Sequence, residues 1–343
     1  MITSQSFFSI AEINQQRWDA IVGDLPSMSH AYLNALEPLN LNPKYYLVLN
    51  DGIKDVACAY FTLMHTAINL PTFLHWVRKV YPNFFRMRVL ECGPPGMPGP
   101  GIVGDITPEV LDAVASSAVL MQKFYKAPLA VLRDFREPYG VLDEYGFQLV
   151  PNIEDTELDI HWSSFDAYLR ALRSHYRALV KKDLDKAREL SVEITPHFEH
   201  YAEDLAKVGR KAGKDIDAEF FHRLSSVDAA HVVLFRYRSR LVGFALYLHG
   251  QTGLYLVCLG VDPEANNVSQ YAYYMLVKIA VDKGVDVLHL GDVCASKLKV
   301  GARNVPLSMY IRYAWAPLTK VIAWVTKKAA PVRRSKELHI WTR

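Results

Sequence analysis

Hydrophobic and polar positions along the chain change period repeatedly, and each change marks an element. Helical spacing over 11–22 and 30–39 predicts two short helices, with Ser27 or Ser29 placed to cap the second. Tyr45 to Leu49 and Val56 to Thr66 read as strands joined at Asp51-Gly52, a dipeptide suited to a tight hairpin turn. Thr72 to Tyr81 is aromatic and partly helical, and Arg86 to Cys92 is a further strand. Thr107 to Tyr125 predicts a helix: Thr107 caps it, Pro108 takes the first helical position and Glu109 lies in the first turn. Its apolar positions Val110, Leu111, Val114, Val119, Leu120 and Phe124 largely follow the 3.6 period. Strands follow at Pro128–Leu132, Phe147–Val150 and Thr156–Ile160, with a short helix at Tyr139–Tyr145.

The second half opens on the longest predicted helix, Ser164 to about Leu190, whose apolar face includes Phe165, Leu169, Leu172, Tyr176, Leu179 and Val180. A strand (Val192–Pro196) and helices (Tyr201–Arg210, Phe220–Leu224) come next. His231–Tyr237, Leu241–His249 and Gly253–Leu259 form an antiparallel meander, its alternation blurred by burial on both faces. A helix (Val268–Lys283) leads to a buried strand (Val287–Leu290), a break at Gly291-Asp292, a basic turn and a strand to Tyr313. A last helix spans Pro317 to Lys328. Both halves run helices, hairpin or meander, helix, strand pair. That order predicts two α/β (α+β) domains, 1–160 and 161–316, followed by a basic helix and tail, 317–343.

Length agrees, since 343 residues exceed one ordinary core. Half the residues are apolar and 22% charged, which excludes a disordered chain. The four cysteines (Cys58, Cys92, Cys258, Cys294) lack CxxC spacing, so free thiols in a reducing compartment are expected rather than a disulfide framework or zinc site. The 12 histidines show no paired ligand spacing, and no metal is expected. With no basic, apolar leader at the start and no run of 18 apolar residues, the expected location is the cytoplasm. The net charge of +3 conceals an asymmetry: from Leu318 onward seven Lys/Arg face one acid, Glu337. The rest of the chain has 32 bases and 35 acids, so the positive charge is a local patch suited to phosphates or an anionic surface.

Three stretches suggest chemistry. The turn after Asp292 carries Lys297, Lys299 and Arg303 around Gly301, which reads as an anion site beside a carboxylate. Arg170, Arg173, Arg177 and Lys181 recur along one stripe of the long helix, as a solvated face or as contacts for a phosphate-bearing partner. Gly93 to Gly101, GPPGMPGPG, can be neither helix nor central strand and forms a rigid loop, either plain surface or the wall of a cleft. The segment GRKAGK, ending at Lys214, lacks the glycine spacing and the hydroxyl of a phosphate-binding P-loop.

The meander, helix 268–283 and strand 286–290 resemble the GNAT acetyltransferase core, and the details are similar to the FemABX-like branch with two GNAT-like domains in one chain. WDAIVGDLPSMSHAYLNALE (Trp18 to Glu37) and SFDAYLRALRSHYRALVKKDLDKA (Ser164 to Ala187) carry the likeness, with the helix around Gln270 to Tyr274 and the Lys297-to-Ala302 segment. The resemblance implies tandem GNAT-like domains, each a mixed, mainly antiparallel sheet flanked by helices. It implies acyl or aminoacyl transfer to an amine, without a resident cofactor. The GNAT loop that binds the coenzyme A pyrophosphate is glycine-rich, whereas Pro263 to Ala272 contains no glycine. This points to an aminoacyl-tRNA donor, as in Fem-type relatives, with a small or lipid-linked amine as acceptor. Such a reaction needs a proton acceptor, an oxyanion stabiliser and anchors for an anionic co-substrate. Lys299 matches the family lysine and is the candidate anchor or oxyanion stabiliser. Asp292 is a base or a turn cap, His289 a base or a core histidine, and Tyr274 an acid or core aromatic. Arg173, Arg177, Lys181, Lys297, Arg303, Tyr255 and Gln270 are the candidate substrate contacts. Two other readings stay open: transfer from acyl-CoA or an acyl-carrier protein, and a non-catalytic module held to a membrane surface by the basic C-terminus with Trp324 and Trp341.

Overall fold

Alternating burial sorts the strands into two sheets of a computed structural model that describes residues 2–67, 86–265, 268–329 and 340–341. The aromatic stretch 72–81 lies outside the described residues. The first sheet runs β1 (Thr3–Phe7), β2 (Lys44–Asn50), β3 (Asp55–Ala67), β4 (Arg86–Cys92), β6 (Leu129–Phe135), β15 (Ser308–Tyr313), β7 (Gln148–Pro151), with β5 (Ile102–Gly104) paired to β3. The second runs β14 (Arg303–Val305), β8 (Asp155–Asp159), β13 (Val287–Asp292), β12 (Gly253–Val261), β11 (Arg240–His249), β10 (Ala230–Tyr237), β9 (Leu190–Thr195). The described pairings of each sheet include one parallel pair, β4 with β6 and β12 with β13, and the rest are antiparallel.

The sheets do not divide where the sequence suggested. Strand β8, placed before residue 160, joins the second sheet between β13 and β14. Strand β15, from the second half, returns to the first sheet between β6 and β7. Local patterning marks a strand and its buried face, but its neighbours are chosen by side chains far along the chain.

Local signals set most helix starts. Asn14 accepts from the Arg17 amide at 3.0 Å to open α1 (Gln15–Val22), and Ser29 accepts from Tyr32 at 3.2 Å to open α2 (His30–Leu36). Thr107 accepts from Val110 at 3.3 Å at the head of α3 (Pro108–Phe124), which packs on one face of the first sheet. A short α4 (Val141–Glu144) precedes β7. The predicted long helix is two: α5 (Phe165–Ala171) and α6 (Ser174–Lys186). Between them Leu172 and Arg173 are extended, because the C-terminal backbone pairs there. The Arg173 amide donates to the Ile340 carbonyl at 2.8 Å, and its guanidinium donates to the Trp341 carbonyl at 2.9 Å. Trp341 stacks on Trp162 with ring centroids 5.0 Å apart. Nothing in the local pattern of 164–190 announces this partner.

The remaining helices are α7 (Ala202–Lys211), α8 (Ala218–Leu224), α9 (Val268–Lys283), α10 (Ala295–Leu298) and α11 (Ala316–Ala329). Helices α1, α2, α7 and α8 share one core with residues from both sheets, including Trp18, Tyr46, Tyr60, Phe221 and Phe244. Burying each such side chain stabilises by about 1.5–3 kcal/mol, so this core ties the halves together. Helices α5, α6 and α9 cover the opposite face of the second sheet, and α11 lies on the first sheet over Val131, Val150 and Ile311.

Candidate active site

Where the two sheets meet, β6 and the Gly/Pro loop face β8, β12 and β13 across a cavity of about 620 Å³. The strand period of two decides which residues reach it. Leu158, Leu288 and Leu290 point into the core beneath α5, α6 and α9, so Asp155, Glu157 and His289 point the other way, into the cavity. Glu157 is the centre of the group. One carboxylate oxygen accepts from Arg136 at 2.5 Å and lies 3.4 Å from Nδ1 of His289; the other accepts from Arg303 at 3.3 Å. Tyr255 stacks flat on His289, with ring centroids 4.3 Å apart and planes 5° apart.

Environment separates the two carboxylates. Burial acts to raise the pKa of Glu157, but the hydrogen bond from His289 and the charges of Arg136, His289 and Arg303 outweigh it and hold the group below its ordinary value. Asp155 has no guanidinium partner among its described contacts, and burial raises its pKa. Burial also pushes Tyr255 up to about 12. A carboxylate kept ionised beside one that holds its proton more readily is an acid–base arrangement.

The first-half wall is strained. Asp134 stands in β6 with φ 63°, a left-handed conformation that non-glycine residues rarely adopt. Its buried carboxylate accepts from the Gly99 amide at 2.7 Å and from Asn152 at 2.6 Å, which fastens the Gly/Pro loop over the cavity. The loop is therefore a cleft wall. Arg133 beside it pairs with Glu91 at 2.6 Å. A second cavity of about 490 Å³ shares Met97, Pro98, Arg133, Asp134 and Asp155 with the first. It has an apolar floor including Val89, Val131 and Met309, and Asp292 on its lining.

The structure brings Tyr255, His289 and Arg303 of the sequence candidates together in this cluster. Lys297 is buried nearby: its ammonium donates to the Asp292 carbonyl, and burial lowers its pKa. Asp292 is exposed at the end of β13, which runs through the expected break; Gly291 absorbs the irregularity with φ 74°. The other candidates lie elsewhere. Lys299 is exposed at the end of α10 and lines neither cavity. Tyr274 is buried on α9, its hydroxyl 3.5 Å from Asp183, and Gln270 donates to the Ser296 carbonyl at 3.3 Å to tie α9 to α10. Arg173, Arg177 and Lys181 belong to the layer that packs on the opposite face of the second sheet through Leu172 and Val180, and the C-terminal backbone holds Arg173. The helix break also divides the expected cationic stripe.

Arg133, Asp134, Arg136, Asp155 and Glu157 were not among the sequence candidates. Their signals were charges inside the apolar strand LAVLRDFRE and the alternation of DTELD. Nor did spacing indicate a metal, yet Asp155, Glu157 and His289 offer ligand atoms within 4.8 Å of one another. A cation there would face Arg136 and Arg303, which already occupy both oxygens of Glu157. The electrostatics suit proton transfer better than metal binding.

Compared with family models the chain matches none, and no curated protein matches it. Solved structures do match. FemX superposes with a TM-score of 0.63 at 14% identity, covering 93% of this chain and 100% of that one. A C-terminal domain from Agrobacterium fabrum, assigned to a lysylphosphatidylglycerol synthetase, gives 0.59 at 13% identity, covering 92% and 97%. A tandem GNAT protein from the clavulanic acid biosynthesis pathway gives 0.52 at 9% identity, covering 92% and 99%. The architecture is thus a tandem GNAT fold: two mixed sheets flanked by helices. More particularly, it is the fold seen in FemX. No helix among the described residues is long and apolar enough to cross a membrane.

Proposed function

We propose that this chain is an N-acyltransferase that moves an acyl or aminoacyl group from an activated ester or thioester to an amine in the cleft between its sheets. The observation that carries the reading is the Asp155–Glu157–His289 cluster, enclosed where the two sheets meet. With Glu157 ionised, it accepts from Nδ1–H of His289 and leaves Nε2 to take a proton from the acceptor ammonium. The freed amine attacks the acyl carbonyl carbon. A C–N bond forms, the C–O or C–S bond breaks, and a proton goes to the leaving oxygen or sulfur. Arg133 and Arg136, which line the cavity, are the cations placed to steady the developing oxyanion, whereas the Lys297 ammonium is held on the Asp292 carbonyl and Lys299 is exposed outside both cavities. Asp155 and Asp292 beside the second cavity's apolar floor suit an amine on an apolar body.

The donor on this reading is an aminoacyl-tRNA. Two features of the junction between β12 and α9 favour it over coenzyme A. Residues 263–272 contain no glycine to let a pyrophosphate approach the backbone. Asp262, at the start of that junction, takes up Lys211 at 3.0 Å and also Arg240, cations that a pyrophosphate would otherwise recruit. Mass spectrometry after incubation with charged tRNA or acyl-CoA, plus a lysate as amine source, tests both donors. The wild type should yield an aminoacylated amine from charged tRNA. His289→Gln should slow this by about 10²–10⁴-fold while the folded circular-dichroism spectrum is kept. Unchanged turnover in that variant would refute the assigned base, and product from acyl-CoA alone would refute the donor.

A further inference from the structure

Helix α11 carries two different faces. Thr319 and Ala323 are buried, and Ala323 packs with Val131, Val150 and Ile311 of the first sheet. On the opposite arc Val321, Trp324 and Val325 fall at i, i+3 and i+4 and are 56%, 59% and 44% exposed. Trp315, just before the helix, is 66% exposed. Lys320 and Lys327 border this arc, and Lys328 lies within it, its ammonium 4.3 Å from the ring centroid of Trp324. No acid occurs between 316 and 329, and from Leu318 onward bases outnumber acids seven to one. A helix of 14 residues, about 21 Å long, is too short to span a bilayer but suits its interface.

We propose that α11 docks this protein on an anionic phospholipid bilayer. Trp315, Val321, Trp324 and Val325 enter the headgroup layer while the three lysines reach lipid phosphates. A nucleic acid would satisfy the lysines and stack on the tryptophans but give the two valines nothing to bury in. A bilayer uses all seven residues. The second cavity adjoins this helix: Val89 and Val131 lie both in the core under α11 and on that cavity's floor.

The test is flotation of the full chain with vesicles of phosphatidylcholine, with and without phosphatidylglycerol. Binding should require phosphatidylglycerol, weaken with salt and shift tryptophan emission to the blue. Replacing Lys320, Lys327 and Lys328 together by Glu should reduce partitioning about a hundredfold or more. Val321→Ser with Trp324→Ser should reduce it through the apolar contacts alone. Both variants are surface changes, checked by an unchanged melting profile. The proposal fails if the wild type does not float or if the variants float as well as it does. It also fails if the substitutions instead dissolve a dimer seen by sedimentation, or abolish a tRNA gel shift in a protein that does not bind vesicles. Flotation is read without turnover, so failure here leaves the proposed reaction standing, and the reverse.

Discussion

Replacing Glu157 by Gln keeps the side chain's shape and removes its charge. In the native fold this carboxylate is 3% exposed and meets Arg136 at 2.5 Å, Arg303 at 3.3 Å and His289 at 3.4 Å. A hydrogen bond to a charged group stabilises by about 1.5–3 kcal/mol when its loss leaves both partners buried. Here Arg136 and Arg303 are 63% and 51% exposed and recover water, so most of that is offset. The net loss expected at neutral pH is about 1–3 kcal/mol, or a fall of about 2–6 °C in the unfolding midpoint. The pH dependence has a definite sign. The native pKa of Glu157 is depressed, so its contribution is present above the unfolded-state value and is lost as pH falls through the native one. Gln does not titrate there. Asp155 has a raised native pKa and contributes oppositely, but it is present in both proteins and cancels to first order. Urea or thermal unfolding followed by circular dichroism should show the gap between wild type and variant closing toward acid pH. Equal stability at neutral pH, or a gap that stays constant into acid, would refute Glu157 as the ionised centre of the cluster.

Gly301→Ala should destabilise by about 2–4 kcal/mol: φ there is 92°, and a Cβ would come within 2.1 Å of Trp341. Gly140→Ala is the control, with nothing within 4 Å and a helical backbone, and should change the melting point by no more than a degree or two. Gly101→Ala would set its Cβ 2.3 Å from the backbone nitrogen of Gly93 and push the Gly/Pro loop off its seat. It should cost about 1–3 kcal/mol in denaturant unfolding and lower turnover as well, because the same loop walls the cleft.

Much of the fold was legible one element at a time. Thr107-Pro108-Glu109 starts its helix as capping chemistry requires, and Asp51-Gly52 turns between β2 and β3. The meander β10–β11–β12 and helix α9 stand where periodicity put them. The site was less legible. His289, Tyr255 and Arg303 were named from the strands and turn that hold them, whereas Lys297 and Lys299 line neither cavity. Two residues apart on a single turn, one is exposed and the other buried, and spacing does not say which face meets the cleft. Glu157 was read as a plain strand residue because its partners come from the residue just after β6 and from β13 and β14.

Period, caps and turn residues act within a few positions, so the sequence by itself determined which segments are helix or strand and which face of each is apolar. It also set the local excess of cations at the C-terminus. Only tertiary structure decided that β8 and β15 change sheets, that the backbone of Ile340 and Trp341 splits a predicted helix, and that Asp155, Glu157 and His289 converge. A buried face specifies that something must cover it. What covers it is settled by shape and charge complementarity between segments far apart in the chain, and no local pattern encodes that.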